Sequence, residues 1–401
     1  MSRSHVLQKN DDDIVVVSAI RTAMTKSNKG GFKDTRPEYM LSQVLRAAYE
    51  SVRLNPSLIE DIAVGNVLAP SGGATPARMA SFHAGIPTST SISTVNRQCS
   101  SGLAAVNQIA NQIRVGQIDI GIGAGVESMT FGFAAAAQPD GYSEEVLRNK
   151  DAEDCLLPMG ITSENVAADY NIPRETQDKF AASSYQKAAA AAKAGKFKDE
   201  ILPVRTKIVD PKTKETKEII VAHDDGVRDG VTAESLSKLK PAFIKTGSTH
   251  AGNASQVSDG AAAVLLMRRS VAKRLGMPIR GKFVAAVSVG VPPRIMGVGP
   301  AFAIPRVLQK TGLQISDIDF FEINEAFASQ AVYCIDTLGI PYDKVNRFGG
   351  AIAMGHPLGC TGSRQVATGL NIARQYNERV FITSMCIGSG MGMAAVFVSE
   401  H

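Results

Sequence analysis

Cysteine is scarce here, five residues in 401, and one of them sits in "NRQCSSG" (96–102), a polar turn directly before the run "LAAVNQIANQI". A cysteine kept for packing sits among aliphatics. Cys99 instead precedes Leu103, Val106, Ile109, Ala110 and Ile113, which share one face at helical spacing. The helix is predicted to start near Ser100 or Ser101, where unpaired N–H groups and the dipole favour a thiolate at Cys99. The chemistry this points to is nucleophilic attack. "GGAIAMGHPLGCTGSRQ" (349–365) offers a partner: of six histidines only His356 is framed by glycines and a following proline, with a second helix predicted from about Thr361. A neutral imidazole there can take a thiol's proton, although a structural histidine fits the same frame.

Two further stretches carry chemistry. In "SMCIGSGMG" (384–392), Cys386 ends a buried strand and alternating glycines follow. Only nine residues remain after Gly392, too few for the helix of a dinucleotide loop, so the glycines read as a tight turn aiming N–H groups at an oxyanion. "NEAFA" (324–328) places Asn324 at a strand–helix junction, where an N-cap and a catalytic amide fit equally well.

Positioning these groups requires strands alternating with helices. "DIVVVSAIRT" (13–22), "DIAVGNV" (61–67), "SISTV" (91–95) and "IDIGIGAGVES" (118–128) read as largely internal strands, the last following the helix after Cys99. From about 129 to 257 loops lengthen and charges accumulate. The alternation then resumes with "AAAVLLMRR" (261–269), "KFVAAVSVG" (282–290), a helix at 300–312, "DIDFFEIN" (317–324), "RVFITSMCIG" (379–388) and "MAAVFVS". The class is α/β. "SLIEDIAVGNV" (57–67) parallels "SDIDFFEINEA" (316–326), aligning Asn66 with Asn324 once a one-residue offset is allowed, and "GIP" and "VN" recur in the same order. A worn repeat of two similar halves brings Cys99 and His356 to a shared seam; chance matching of short strings is the other reading.

Composition removes other classes. The balance of 43 Lys+Arg against 38 Asp+Glu, with aromatics at 6%, gives no basic–aromatic platform for nucleic acid. No apolar run is long enough to cross a bilayer, and "MSRSHVLQKNDDD" lacks the apolar core of a secretory signal. The uneven cysteines fit a reducing compartment, and with no CxxC pair no metal site is expected. The excess of nine Lys/Arg over four Asp/Glu at 185–217 reads first as a solvated surface, with an anion-binding role as the alternative.

"NRQCSSG", "NEAFA", "GHPLGCTG" and "CIGSGMG", in this order and spacing, resemble the thiolase family. "PMGITSENVA", "AGNASQVSDGAA" and "VGVPPRIMGVGPAFAIP" are most similar to its peroxisomal-type 3-ketoacyl-CoA subgroup, acetyl-CoA C-acyltransferases, over about residues 13–398. The resemblance implies a thiolase-like α/β fold of two similar halves in five αβαβα layers with an inserted loop domain. The halves would be 1–128 (completed by 258–279) and 280–401, with 129–257 as the CoA-binding insertion. It also implies roles. Cys99 would be acylated, and His356 would activate Cys99 and then CoA. Cys386 would exchange a proton with the α-carbon of acetyl-CoA. Asn324, through a water, and His356 would form one oxyanion hole, and the N–H groups of Cys99 and Gly388 a second. Arg228, Ser235 and Ser255 would contact CoA, which is substrate; no other cofactor is expected.

Two positions depart from the family pattern: His250 in "GSTHAGNAS", near the expected CoA groove, and Arg347-Phe348 after Asn346. The resemblance further implies a homodimer acting on acyl-CoA in the peroxisome, with no nucleic acid or membrane insertion. The start and "SEH" end carry no clear peroxisomal signal, which leaves a cytosolic form open. The activity expected is thiolytic cleavage of 3-ketoacyl-CoA in fatty-acid β-oxidation. The alternatives are a condensing acetoacetyl-CoA thiolase and a silent acyl-CoA- or lipid-binding relative.

Overall fold

The β-branched and small-residue runs form strands, and the computed structural model, which describes residues 2–135 and 141–401, gathers them into two sheets of matching design. In the first, the spatial order is Ser91–Val95, Asp61–Gly65, Ile120–Ser128, Ser258–Arg268 and Ile14–Thr22. The first three run parallel and the remaining pairings are antiparallel. In the second, Phe320–Ile323 pairs parallel with Val380–Ile387, and Met391–Ser399 and Gly281–Gly290 follow antiparallel. A parallel bridge from Phe321 to Val345 stands where the first sheet has its edge strand. Short pairing of Ile14–Val16 with Gly281–Phe283 joins the sheets along one edge.

Helices complete five layers. Pro37–Glu50 and Ala74–His83 cover the outer face of the first sheet, and Gly299–Thr311 and Ala328–Leu338 that of the second. Between the sheets lie Ser101–Arg114 and Leu358–Tyr376, the helices that follow Cys99 and His356. Sequence dictates how tightly this middle layer closes. In "IGIGAGVES" the glycines alternate, so Gly121, Gly123 and Gly125 share the face toward the helices. A Cβ on Gly123 would stand 2.5 Å from Val106 Cα, and one on Gly125 2.1 Å from the Gly359 carbonyl oxygen. Only a strand bare of side chains admits both helices at this depth. No described helix is long and apolar enough to cross a membrane.

Several expectations are refined. Ser91–Val95 is an edge strand and half-exposed, not internal. The second central helix begins at Leu358, so Thr361 lies inside its first turn. The repeat is real at the level of sheet order, but Asn66 and Asn324 are not counterparts. Asp61 reaches Gln112 of the middle layer (2.8 Å), and Gly65 abuts Ser101. In the second half it is Glu322 and Asn324 that face the middle, toward Arg364 and His356. Strand alternation therefore aligns Asn324 with Gly65, and a one-residue slip turns Asn66 to the opposite face, where it donates to the Gly72 carbonyl (3.1 Å).

The stretch between the strands Ile120–Ser128 and Ser258–Arg268 contributes helices Met159–Asp169 and Arg174–Lys193 and a hairpin of Val204–Val209 with Thr216–Val221. The hairpin packs on the outer layer, through Thr206 to Thr35 (2.6 Å) and the Val209 carbonyl to Lys33 (2.8 Å). The hairpin is thus seated against residues 33–39. Glu200 and Asp224 of the same stretch clamp the buried Arg21, each at 2.7 Å, and Glu200 also accepts from Thr368 and Asn371 of the middle layer. Removing one partner of such a buried pair strands the other charge.

Candidate active site

The polar residues around Cys99 build its turn. Gln98 adopts φ 47°, a left-handed conformation rarely taken by a side-chain-bearing residue. Asn96 Oδ1 accepts from the Gln98 N–H (3.0 Å). Ser101 Oγ accepts from the Arg97 N–H (2.9 Å) and donates to the Gln98 carbonyl (2.7 Å), while Ser100 Oγ donates to the Arg97 carbonyl (3.0 Å). The helix starts at Ser101, as expected. The thiolate expected at rest is not favoured. Burial pushes the Cys99 thiol up to about 11, against the opposing pull of the N–H groups of Gly388 and of Cys99 itself. Desolvation outweighs the helix start. Both N–H groups assigned by resemblance to one oxyanion hole therefore act on the same sulfur.

His356 is held from its backbone outward. Gly355 has φ 111°, and a Cβ there would stand 2.2 Å from Ser258 Oγ, so only glycine fits. The His356 N–H donates to the Gln256 carbonyl (3.0 Å), and Gln256 Nε2 donates to the Ile352 and Ala353 carbonyls (3.1 and 3.0 Å). Thr361 Oγ1 donates to the Pro357 carbonyl (3.0 Å) and stands 2.6 Å from His356 Nδ1. Its hydrogen being committed, the hydroxyl accepts, which assigns the ring proton to Nδ1 and a lone pair to Nε2. Asn324 Nδ2 donates to that nitrogen at 3.3 Å. Burial, with Arg364 second, lowers His356 to about 3. The imidazole is thus a neutral base aimed through Nε2.

Asn324 is no N-cap: the next helix begins at Ala328 with Phe327 at its cap position. Its Oδ1 is buried and accepts no hydrogen bond from a described residue, an acceptor suited to holding a water. Asn346 fixes the strand end beneath it, accepting from the Ile323 N–H (2.9 Å) and donating to the Ile323 carbonyl (2.8 Å) and Glu325 (2.7 Å). Glu325 in turn accepts from Ser184 (2.6 Å) and the Ile352 N–H (3.2 Å). "NEAFA" is thereby tied to the turn that leads into His356.

Cys386 ends its strand opposite Gly392, buried with Met296, Ala326 and Phe327. Burial first, then the neighbouring Cys99, raises its thiol well above the ordinary value. Gly388, Ser389 and Gly390 turn the chain back, the last two with φ 57° and 86°. The arrangement is two adjacent thiols, an N–H pair on one of them, and a neutral imidazole bridged to an amide. It can take a proton from sulfur, stabilise charge on oxygen, and move a second proton at a neighbouring thiol.

The outer residues divide. Arg228 is exposed and has no ion pair among the described residues. Ser235 is exposed, but its hydroxyl closes a capping box with Thr232. Ser255 is half-buried, and its N–H donates to the Ala326 carbonyl (2.9 Å), beside the Cys386 pocket. His250 does not line a groove. It is fully buried, with Nε2 2.7 Å from Asp178 and Nδ1 accepting from the Gly252 N–H (3.0 Å). Arg347 pairs with Glu378 (2.7 Å), and Phe348 packs edge-on to Phe197, both apart from the catalytic groups. Sequence reasoning missed Thr361, Asn346, Gln256 and Glu127, whose roles rest on contacts between distant segments. Only Thr361, one helical turn past His356, left a local signal.

Residues 14–270 match the thiolase N-terminal domain and residues 277–399 the thiolase C-terminal domain. The chain is 56% identical over 395 residues to the peroxisomal 3-ketoacyl-CoA thiolase of Yarrowia lipolytica, covering 98% of this chain and 95% of that protein. It superposes on the dimeric peroxisomal thiolase of Saccharomyces cerevisiae with a TM-score of 0.92 and 54% identity, covering 99% of this chain and all of that one. A second structure of peroxisomal 3-ketoacyl-CoA thiolase from that yeast, described as five-layered and built from two core domains of identical topology, matches with a TM-score of 0.82 and 49% identity, over 98% of this chain and 100% of that one. Two domain matches that together span nearly the whole chain, and a layer order that agrees with them, lead to one conclusion: the chain belongs to the thiolase family.

Proposed function

We propose that this chain is a 3-ketoacyl-CoA thiolase of fatty-acid β-oxidation that acts in the peroxisome as a homodimer. The observation that carries the reading is the placing of Cys386 beside Cys99, whose sulfur takes the Gly388 N–H, with Asn324 on the basic nitrogen of His356. Cys99 gives its proton to His356 Nε2 and attacks the 3-keto carbon. The bond between the α- and β-carbons breaks, the shortened acyl group stays on Cys99 sulfur, and the acetyl-CoA enolate takes a proton from Cys386. The proton on His356 then returns to Cys386. In the second half His356 takes the proton of CoA, the CoA sulfur displaces Cys99 from the acyl group, and Cys99 recovers its proton. Donors aimed at the oxygens where charge develops lower both barriers.

CoA enters as substrate. Arg228 supplies charge for its phosphates, and Ser235 and Ser255 complete the contact within an inserted domain of residues 129–257. The halves 1–128, completed by 258–279, and 280–401 frame the catalytic seam. The test is a rate comparison at saturating CoA. Longer 3-ketoacyl-CoA esters are expected to be cleaved faster than acetoacetyl-CoA. A marked preference for acetoacetyl-CoA would assign the condensing activity instead, and no turnover of either would leave a binding protein.

A further inference from the structure

The buried carboxylate of Glu127 belongs to neither thiol nor imidazole, yet it ties two distant segments together. It ends the strand Ile120–Ser128, on the same face as Gly125 and so toward the middle layer. Its Oε2 accepts from the N–H groups of Val67 and Gly359, each at 3.0 Å, and Oε1 accepts from the Leu68 N–H at 3.2 Å. Val67 and Leu68 follow the strand Asp61–Gly65 of the first half, whereas Gly359 is in the first turn of the helix that follows His356. That turn also carries Thr361, the acceptor for His356 Nδ1. A Cβ on Gly359 would lie 2.6 Å from Asn66 Cα, so the helix start has no slack against the first half.

We infer that Glu127 is a positioning residue for His356, a carboxylate of the first half that fixes the helix start holding the base of the second half over Cys99. The first N–H groups of a helix have no partner within it, and an anion there sets both their satisfaction and their aim. Three amides converge on two carboxylate oxygens. A glutamine in this place offers one oxygen and turns its own N–H groups on the remaining donors. An aspartate keeps the charge and loses the reach. The inference rests on the reading of His356 as the base for Cys99.

The experiment alkylates Cys99 with iodoacetamide, a neutral reagent, in the unaltered protein, His356→Ala, Glu127→Gln and Glu127→Asp, with kcat, KM and melting temperature measured alongside. Misplacement by a fraction of an ångström is expected to lower kcat about 10–100-fold in both Glu127 variants with KM little changed. Alkylation should slow at neutral pH and converge with the unaltered protein as pH approaches the thiol's own value of about 11, where no base is needed. The sign is diagnostic above neutrality: burial pushes the Glu127 carboxyl up to about 7, and once ionised its charge adds to the burial that holds the Cys99 thiol up. Loss of charge alone would speed alkylation in Glu127→Gln. Faster alkylation, an equal loss at every pH, an unchanged kcat, or failure of both variants to fold would each overturn the inference. If His356→Ala alkylates as fast as the unaltered protein, it is the reading of His356 that fails.

Discussion

Cys386→Ser is expected to keep the fold and still acylate at Cys99 from a simple acyl-CoA, while exchange of acetyl-CoA α-hydrogens with deuterated water falls by about 10²–10⁴-fold. Overall thiolysis should fall with it. The reason lies in where the sulfur sits. Cys386 is buried with Met296, Ala326 and Phe327, and both that burial and Cys99 hold its thiol well above the ordinary value. It therefore stays protonated at rest, and its thiolate is a base strong enough for an α-carbon, which a thiol of ordinary acidity serves less well. A hydroxyl is smaller, so packing is nearly kept, but it is a far weaker acid and cannot carry the proton in either direction. Nothing in the attack of Cys99 on a carbonyl calls on Cys386, so the two steps should separate. Near-normal exchange in this variant would remove Cys386 from the mechanism.

His356→Ala is expected to slow acylation of Cys99 at neutral pH by a similar factor, about 10²–10⁴, and to change the shape of its pH profile. In the unaltered protein the imidazole is neutral at all pH values above about 3, so the base is already in its working form and the rate should be flat through neutrality. Without it the thiolate must come from ionisation of Cys99 alone, at about 11. The rate should then climb about tenfold per pH unit through the neutral and alkaline range. Stopped-flow release of CoA from an acyl-CoA would follow both profiles. A flat profile in the variant would mean another base activates Cys99.

Much of this was legible along the chain, and the failures share one cause. Cys99, His356, Cys386 and the glycine turn announce themselves because each needs a local device: a helix start, a glycine frame, or a strand end with a bare loop. The strands were legible for the same reason, as short apolar runs bounded by turn formers. What local pattern cannot report is depth. The helix start at Cys99 argued for a thiolate, and burial between two sheets reverses it. Asn66 and Asn324 matched as letters, yet strand alternation sets them on opposite faces. His250 was expected near the CoA groove by resemblance to the family, and the fold buries it on Asp178. Asn346, Gln256 and Glu127 act between segments 20 to more than 200 residues apart, so no spacing within one motif could reveal them.

The central claim is that Cys99 alone carries the acyl group, and peptide mass analysis after trapping tests it most directly. Trypsin separates residues 98–114, 348–364 and 380–401, which hold Cys99, Cys360 and Cys386 respectively. Incubation with an acyl-CoA in the absence of free CoA, followed by acid quench and digestion, should add one acyl mass to the 98–114 peptide and none to the other two, and the label should vanish when CoA is added before the quench. An acyl mass on the Cys360 or Cys386 peptide, or none on any of them while the protein still turns over 3-ketoacyl-CoA, would contradict the account.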